Sequence, residues 1–178
     1  MKTIIELGCG DGVLINRLSK MYKNYLLVGI ELSNEKFQNS VNLVAAKNVK
    51  LINDSFENIV PKLENNSIDK FLAILPDPKY IDLRNQNSWK NFYVKVFEKL
   101  EKNGVLIIIT EITNELLNPV SQEQYNSEIN KIEHIFRSIG FKTVHVSHNY
   151  PSIYSTNLLK KFSKDPDRIK IVFYKFLK

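Results

Sequence analysis

The segment Ile4-Ile5-Glu6-Leu7-Gly8-Cys9-Gly10-Asp11-Gly12 carries the residues best suited to cradle a small polar ligand. Glycine admits positive φ and leaves the backbone bare for close approach. A helix following it, over Val13–Met21, offers free N–H groups to an anion. Spacing narrows the ligand. A dinucleotide turn needs G-x-G-x-x-G, whereas position 13 is Val, and Asp11 would set a like charge beside a pyrophosphate. Four further carboxylates end apolar runs downstream. They are Glu31 after Val28-Gly29-Ile30, Asp54 after Leu51-Ile52-Asn53, Asp77 between Pro76 and Pro78, and Glu111 after Ile109-Thr110. Glu31 lies 23 residues after Gly8, where nucleotide-binding folds place a carboxylate that accepts ribose hydroxyls. The two prolines stiffen the chain on either side of Asp77.

Short apolar runs alternating with helix-period segments must position these groups, a pattern that predicts a parallel sheet with crossover helices. Strands are expected at 3–7, 25–31, 49–53, 68–75, 104–110, 141–147 and 169–176. Helices are expected near 12–23, 34–46, 56–62, 88–101 and 122–139. Asn34 and Ser88 are the expected N-caps, and Asn103-Gly104 and Gly140 the expected helix exits. Five β-then-α units precede two strands with no helix between them. The connection 148–168 is too long for a tight turn and rich in Ser, Tyr and Lys, and a loop of that length is more often functional than idle. The expectation is one domain over residues 1–178.

Composition is that of an ordinary globular chain, with 43% hydrophobic and 25% charged residues. The apolar runs are too short to span a bilayer, and no basic-then-apolar leader precedes the first strand. The single cysteine, Cys9, excludes an internal disulfide framework. A cytoplasmic protein that does not engage a membrane is therefore expected. The whole net charge of +6 falls in the last 37 residues, where eight Lys/Arg stand against Asp165 and Asp167. Such asymmetry suits a polyanionic partner, and equally a solvated lysine surface. The three histidines complete no metal set, so no metal is expected. Monomer and homodimer are both left open.

The pattern E-x-G-x-G-x-G resembles motif I of the class I methyltransferases that use S-adenosylmethionine. That resemblance implies a Rossmann-like, doubly wound seven-stranded α/β sheet, mostly parallel with an antiparallel last strand. Further along, the chain is similar to the tRNA (guanine-N7)-methyltransferase family, on Glu6–Gly10, Gly29–Glu31, Pro76-Asp77-Pro78, Thr110-Glu111 and the Thr156 to Phe162 segment. The Pro-Asp-Pro element is the most specific of these. Three positions depart from the family pattern: the run after Pro78 is less basic, the family's T-D reads Thr110-Glu111, and Leu159 replaces an acidic residue.

What the resemblance implies is a cofactor site made of Glu6, Gly8, Cys9, Gly10, Gly12, Glu31, Leu32, Asp54 and Asp77. Glu6 would hold the ammonium end, Glu31 the ribose and Asp54 the adenine amine. Asp77 would be catalytic, with Glu111, Thr156, Lys160 and Lys161 on the side of a tRNA substrate. Guanine N7 is a neutral lone pair, so its methylation removes no proton and rests on orientation and on a carboxylate opposing the cation formed. Tyr80, Tyr150 and Tyr154 are candidate stacking rings, each with an ordinary core role as its rival. Other readings stay open. Asp77-Pro78-Lys79-Tyr80 is superficially similar to the D-P-P-Y of enzymes that methylate exocyclic amines of bases, with Lys in its third position. A small-molecule methyltransferase and a non-catalytic RNA-binding homologue are the others.

Overall fold

The computed structural model describes residues 1–178, with the Glu115 side chain outside the description. Its strands are β1 (Lys2–Leu7), β2 (Tyr25–Glu31), β3 (Val49–Asn53), β4 (Ile68–Ile74), β5 (Leu100–Thr113), β6 (Lys142–Ser147) and β7 (Ile169–Leu177). The helices are α1 (Val13–Met21), α2 (Asn34–Leu43), α3 (Phe56–Ile59), α4 (Gln86–Lys99), α5 (Gln122–Ile139) and α6 (Asn157–Phe162). Among the described residues the strands form one sheet in the order β3-β2-β1-β4-β5-β7-β6. β1 to β5 pair in parallel and β7 runs antiparallel to both neighbours. This is the Rossmann-like doubly wound sheet expected from the sequence. Strand order reverses between β1 and β4, so their carboxyl ends flank the crevice where such sheets bind ligands.

Side-chain alternation along each strand divides the core in two. Ile5, Leu7, Phe71, Ala73, Leu106 and Ile108 pack with α4 and α5 residues such as Trp89, Tyr93 and Phe136. Ile4, Leu72, Ile107 and Ile109 pack on the other face with Leu14, Ile15 and Leu18 of α1 and Leu159 of α6. Helix α1 is kept on the sheet by that apolar stripe, and α5 ends where Gly140 turns the chain at φ 122°.

Several boundaries differ from expectation for local reasons. Ser33, not Asn34, caps α2, because its extended backbone lets Oγ accept the Lys36 N–H. Helix α4 starts at Gln86 rather than Ser88, continuing a short turn over Leu83–Asn85. Asn103-Gly104 is not a helix exit. Helix α4 has already ended at Lys99, and the pair lies in an irregularity of β5, where Asn103 takes φ 67° and the register with β4 slips. The 148–168 connection is not helix-free: it holds a turn at Ser152–Tyr154 and then α6.

Candidate functional site

The turn after β1 is tied to its neighbour strand. Gly8 and Cys9 N–H both donate to the Ile30 carbonyl, at 2.9 and 3.0 Å. Gly8 and Gly10 adopt φ of 77° and 56°, and a Cβ built on either meets nothing within 4 Å, so the backbone faces open space above the crevice. Gly12 differs, since a Cβ there would come within 2.8 Å of Ser40 Cβ; its part is to let α1 pack on α2. Cys9 is buried, and its Sγ would stand 2.8 Å from a Cβ on Gly29. Burial pushes its thiol well above the ordinary range, which marks it as packing rather than a nucleophile.

Two carboxylates flank this turn. Glu31 Oε2 accepts the Gly10 N–H and Oε1 the Ser33 N–H, each at 2.8 Å. The side chain thus clamps the turn to the start of α2, and each oxygen keeps a further lone pair for a ligand hydroxyl. Glu6 is enclosed, with Oε2 lacking any partner among the described residues. Its pKa is raised well above the usual glutamate value, first by burial, then by Asp11 and Glu31, with Arg17 opposing. A buried, unpaired carboxylate between two other acids is costly unless a cation arrives. The ammonium end of an amino-acid ligand is such a cation.

The carboxyl ends of β2 and β3 lie side by side, with Asn53 Nδ2 donating to the Glu31 carbonyl at 2.9 Å. Leu32 is 68% exposed there. Asp54 Oδ1 accepts from Ser55 N–H at 2.6 Å and Asn58 Nδ2 at 2.9 Å, and these contacts, Asn58's first, hold its carboxyl below the ordinary value. Asp54 therefore has a local structural task at the start of α3, whatever else it does.

β4 ends in strain. Leu75 takes φ 49° while its N–H donates to the Ile109 carbonyl at 2.7 Å. Side-chain-bearing residues in this region store strain that tends to gather at functional sites. Pro76-Asp77-Pro78 follows, with the exposed Asp77 side chain accepting the Lys79 N–H at 3.0 Å. The turn is anchored beyond, where Trp89 Nε1 donates to the Asp82 carbonyl at 2.7 Å. Tyr80 is no stacking surface. It is buried, with its ring 4.6 Å from that of Phe56 and 5.8 Å from that of Phe92. Neighbouring β5 ends in Thr110-Glu111. Thr110 is 1% exposed, and among the described residues neither its Oγ1 nor Glu111 Oε2 has a partner; burial raises the Glu111 pKa. Alternation sends Thr110 toward α5, with Ile108 and Ile112, and Glu111 to the α1 and α6 face.

On that second face the 148–168 segment is strapped to α1. Arg17 donates to the Ile153 and Ser155 carbonyls at 3.1 and 2.7 Å, a contact nothing in the sequence announced. Tyr154 is buried and stacks on Phe173, so it too is core, whereas Tyr150 is half-buried beside a recess of about 590 Å³ shared with Ser155 and Lys170. Thr156 Oγ1 accepts the Leu159 N–H and caps α6, which presents exposed Lys160 and Lys161. The basic tail does not form one patch. Lys178 Nζ is bound to Asn66 and to the Leu100 and Glu98 carbonyls, and Arg168 pairs with Asp165. Lys142 and Lys175 lie at or near the far end of the sheet, where Lys142 stands opposite Leu177 and Lys175 opposite Ile107. Lys160, Lys161 and Lys164 remain as an exposed cationic group by α6. Among the described residues no group of three or more His, Cys, Asp or Glu is placed to hold a metal ion, and no helix is long and apolar enough to cross a membrane.

This fold, with a glycine turn and carboxylates at its switch point, is that of the class I methyltransferases. The chain belongs to a methyltransferase-domain family, whose profile matches residues 1–162. A Rickettsia conorii protein named bifunctional methyltransferase is 26% identical over 145 residues, covering 75% of this chain and 27% of that protein. Its Rickettsia felis namesake is 26% identical over 134 residues, covering 71% and 25%. The chain spans about a quarter of the length of these curated relatives. A Listeria monocytogenes structure described as an S-adenosylmethionine dependent methyltransferase aligns with TM-score 0.71 at 18% identity, over 99% of this chain and 90% of that one. A 16S rRNA (adenine(1408)-N(1))-methyltransferase from Catenulisporales acidiphilia, with cosubstrate S-adenosylmethionine, aligns with TM-score 0.72 at 14% identity, over 99% and 85%.

Proposed function

We propose that residues 1–178 act as a single domain that binds S-adenosylmethionine and transfers its methyl group to N7 of a guanosine in tRNA, in the cytoplasm. The observation that carries the cofactor half is Glu6: an enclosed, unpaired carboxylate beside an open-faced glycine turn fits an amino acid's ammonium and carboxylate ends. Glu31 stands where ribose hydroxyls would reach its remaining lone pairs. Leu32 offers an apolar surface for the adenine, and Asp54 an acceptor for its amine. The donor supplies a methyl carbon made electrophilic by its sulfonium.

The acceptor half rests on Asp77 and Glu111. The N7 lone pair forms the new N–CH3 bond as the S–CH3 bond breaks, so the sulfur leaves neutral and the guanine becomes cationic. No proton moves. The chain's contribution is orientation together with negative charge near the base. Asp77 supplies that charge from a stiff support at the end of β4. Glu111 accepts from the N1–H and N2–H edge: burial alone favours its neutral form, and the two donors would favour the carboxylate. Thr156 holds α6 in place, so that Lys160 and Lys161 meet RNA phosphates. That an RNA methyltransferase shares the fold agrees with this reading.

The test is incubation of the protein with unmodified tRNA and methyl-labelled S-adenosylmethionine, followed by nucleoside mass spectrometry. N7-methylguanosine is expected. Label in N6-methyladenosine would support the exocyclic-amine reading, and label only in a small molecule would remove RNA from the account.

A further inference from the structure

A second recess, of about 400 Å³, opens between the turns following Asp77, the end of β5 at Thr110-Glu111 and helix α5. Its walls are mixed, with apolar surface from Pro78, Ile81, Ile112 and Ile132 interleaved with charged Asp82 and Arg84. Thr110 lines it, its hydroxyl buried and, among the described residues, without a hydrogen-bond partner. Burying a hydroxyl unpaired is unfavourable, and such a group calls for an explanation. Half-buried Gln124 and Glu128 add donors and acceptors along one side, and Lys131 stands exposed on the rim.

We propose that this recess binds the base of a nucleotide flanking the methylated one, with Thr110 Oγ1 hydrogen-bonding the base edge and Lys131 facing the adjoining phosphate. The proposal rests on the reading of the acceptor as RNA. Three features favour a nucleobase. The apolar part of the lining suits a base ring, a buried hydroxyl can donate to or accept from a base edge, and the volume lies in the range of small-molecule sites. Single-stranded RNA presents splayed bases to such pockets. The recess begins at Pro78, the residue after Asp77, so a neighbouring nucleotide lies within chain reach of the reacting one.

The test uses Thr110→Val, which keeps the shape and deletes the hydroxyl. If the hydroxyl served no ligand, this change would be neutral or stabilising, so the variant is expected to fold. With the cofactor site saturated by S-adenosylhomocysteine, adenosine and guanosine monophosphates are titrated into protein labelled at isoleucine methyls. The expected result is that Ile112 and Ile132 signals move in the wild type and that affinity falls about tenfold in Thr110→Val. The KM for tRNA should rise about five- to tenfold, with kcat within twofold and cofactor affinity unchanged. Silence of Ile112 and Ile132 in the wild type, or equal nucleotide affinity in the variant, overturns the proposal. Failure of the wild type to methylate tRNA would instead refute the function proposed above, and the nucleotide titration would still decide the recess.

Discussion

Replacing Glu6 with Gln should move stability and cofactor affinity in opposite directions. Glu6 is enclosed on the α1 face of β1, one oxygen has no partner among the described residues, and Asp11 and Glu31 add repulsion. A carboxyl whose folded pKa exceeds its unfolded value binds more protons in the folded state. Its contribution is therefore fully present below the unfolded value, near 4.3, and is lost as pH rises through the folded value. Each unit of elevation corresponds to about 1.4 kcal/mol, and desolvating an unpaired polar group costs on the order of 1–3 kcal/mol. Glu6→Gln should accordingly raise the ligand-free stability by about 1–3 kcal/mol at pH 8.5. For a domain of this size that is roughly 2–12 °C in Tm. The difference should shrink as pH falls, because the wild-type carboxyl then takes up a proton and its burial cost is relieved. The variant also loses the charge that meets the ligand's ammonium, about 1.5–3 kcal/mol, or roughly 10- to 150-fold in S-adenosylmethionine affinity. Thermal melts from pH 5 to 9, with calorimetric titration of the ligand, read both effects. A variant that is destabilised at pH 8.5, or binds S-adenosylmethionine as tightly as the wild type, would refute this account of Glu6.

Glu31→Ala removes the acceptors of the Gly10 and Ser33 N–H groups, so affinity for S-adenosylmethionine should fall by about 1.5–3 kcal/mol, measured by calorimetry on the folded variant. Asp77→Asn keeps the turn's shape but not its charge. Turnover should fall about 10²-fold or more in a labelled-methyl assay, with cofactor affinity little changed. Reversing Lys160 and Lys161 to Glu should weaken tRNA binding and flatten its salt dependence by about 0.7–0.9 log units for each phosphate no longer neutralised, measured by filter binding across salt concentrations. Arg17→Gln should loosen the 148–168 strap, speeding amide exchange of Ile153–Thr156 in hydrogen-exchange mass spectrometry while leaving β1 protected.

The sheet was legible because its signals are local. Ile4-Ile5 before a glycine turn and Val28-Gly29-Ile30-Glu31 as a buried run fix strand ends within a few residues, and β-then-α alternation dictates parallel pairing. The acids at those ends were readable for the same reason. What escaped depends on partners distant in sequence. Arg17 looks like any helical cation, since the carbonyls it holds lie 136 and 138 residues away. Glu31's grip on Gly10 required the crossover of β2 onto β1. Helix α6 is six residues long, too short to show a period, and exists because Thr156 caps it and Leu159 is fully buried. The tail's charge was legible in amount and not in arrangement, because folding sends Lys178 to the Asn66 and Leu100 carbonyl region and leaves Lys160 and Lys161 outside. Tyr80 and Tyr154 could not be told from surface rings until packing placed them in the core.

The most direct test of the central claim is the identity of the methylated nucleoside. Unmodified tRNA is incubated with the protein and S-adenosylmethionine carrying a labelled methyl, then digested to nucleosides and analysed by mass spectrometry. The account predicts label in N7-methylguanosine and its near-complete loss with Asp77→Asn. Label in any other nucleoside, or full N7 methylation by the Asp77→Asn protein, would contradict it.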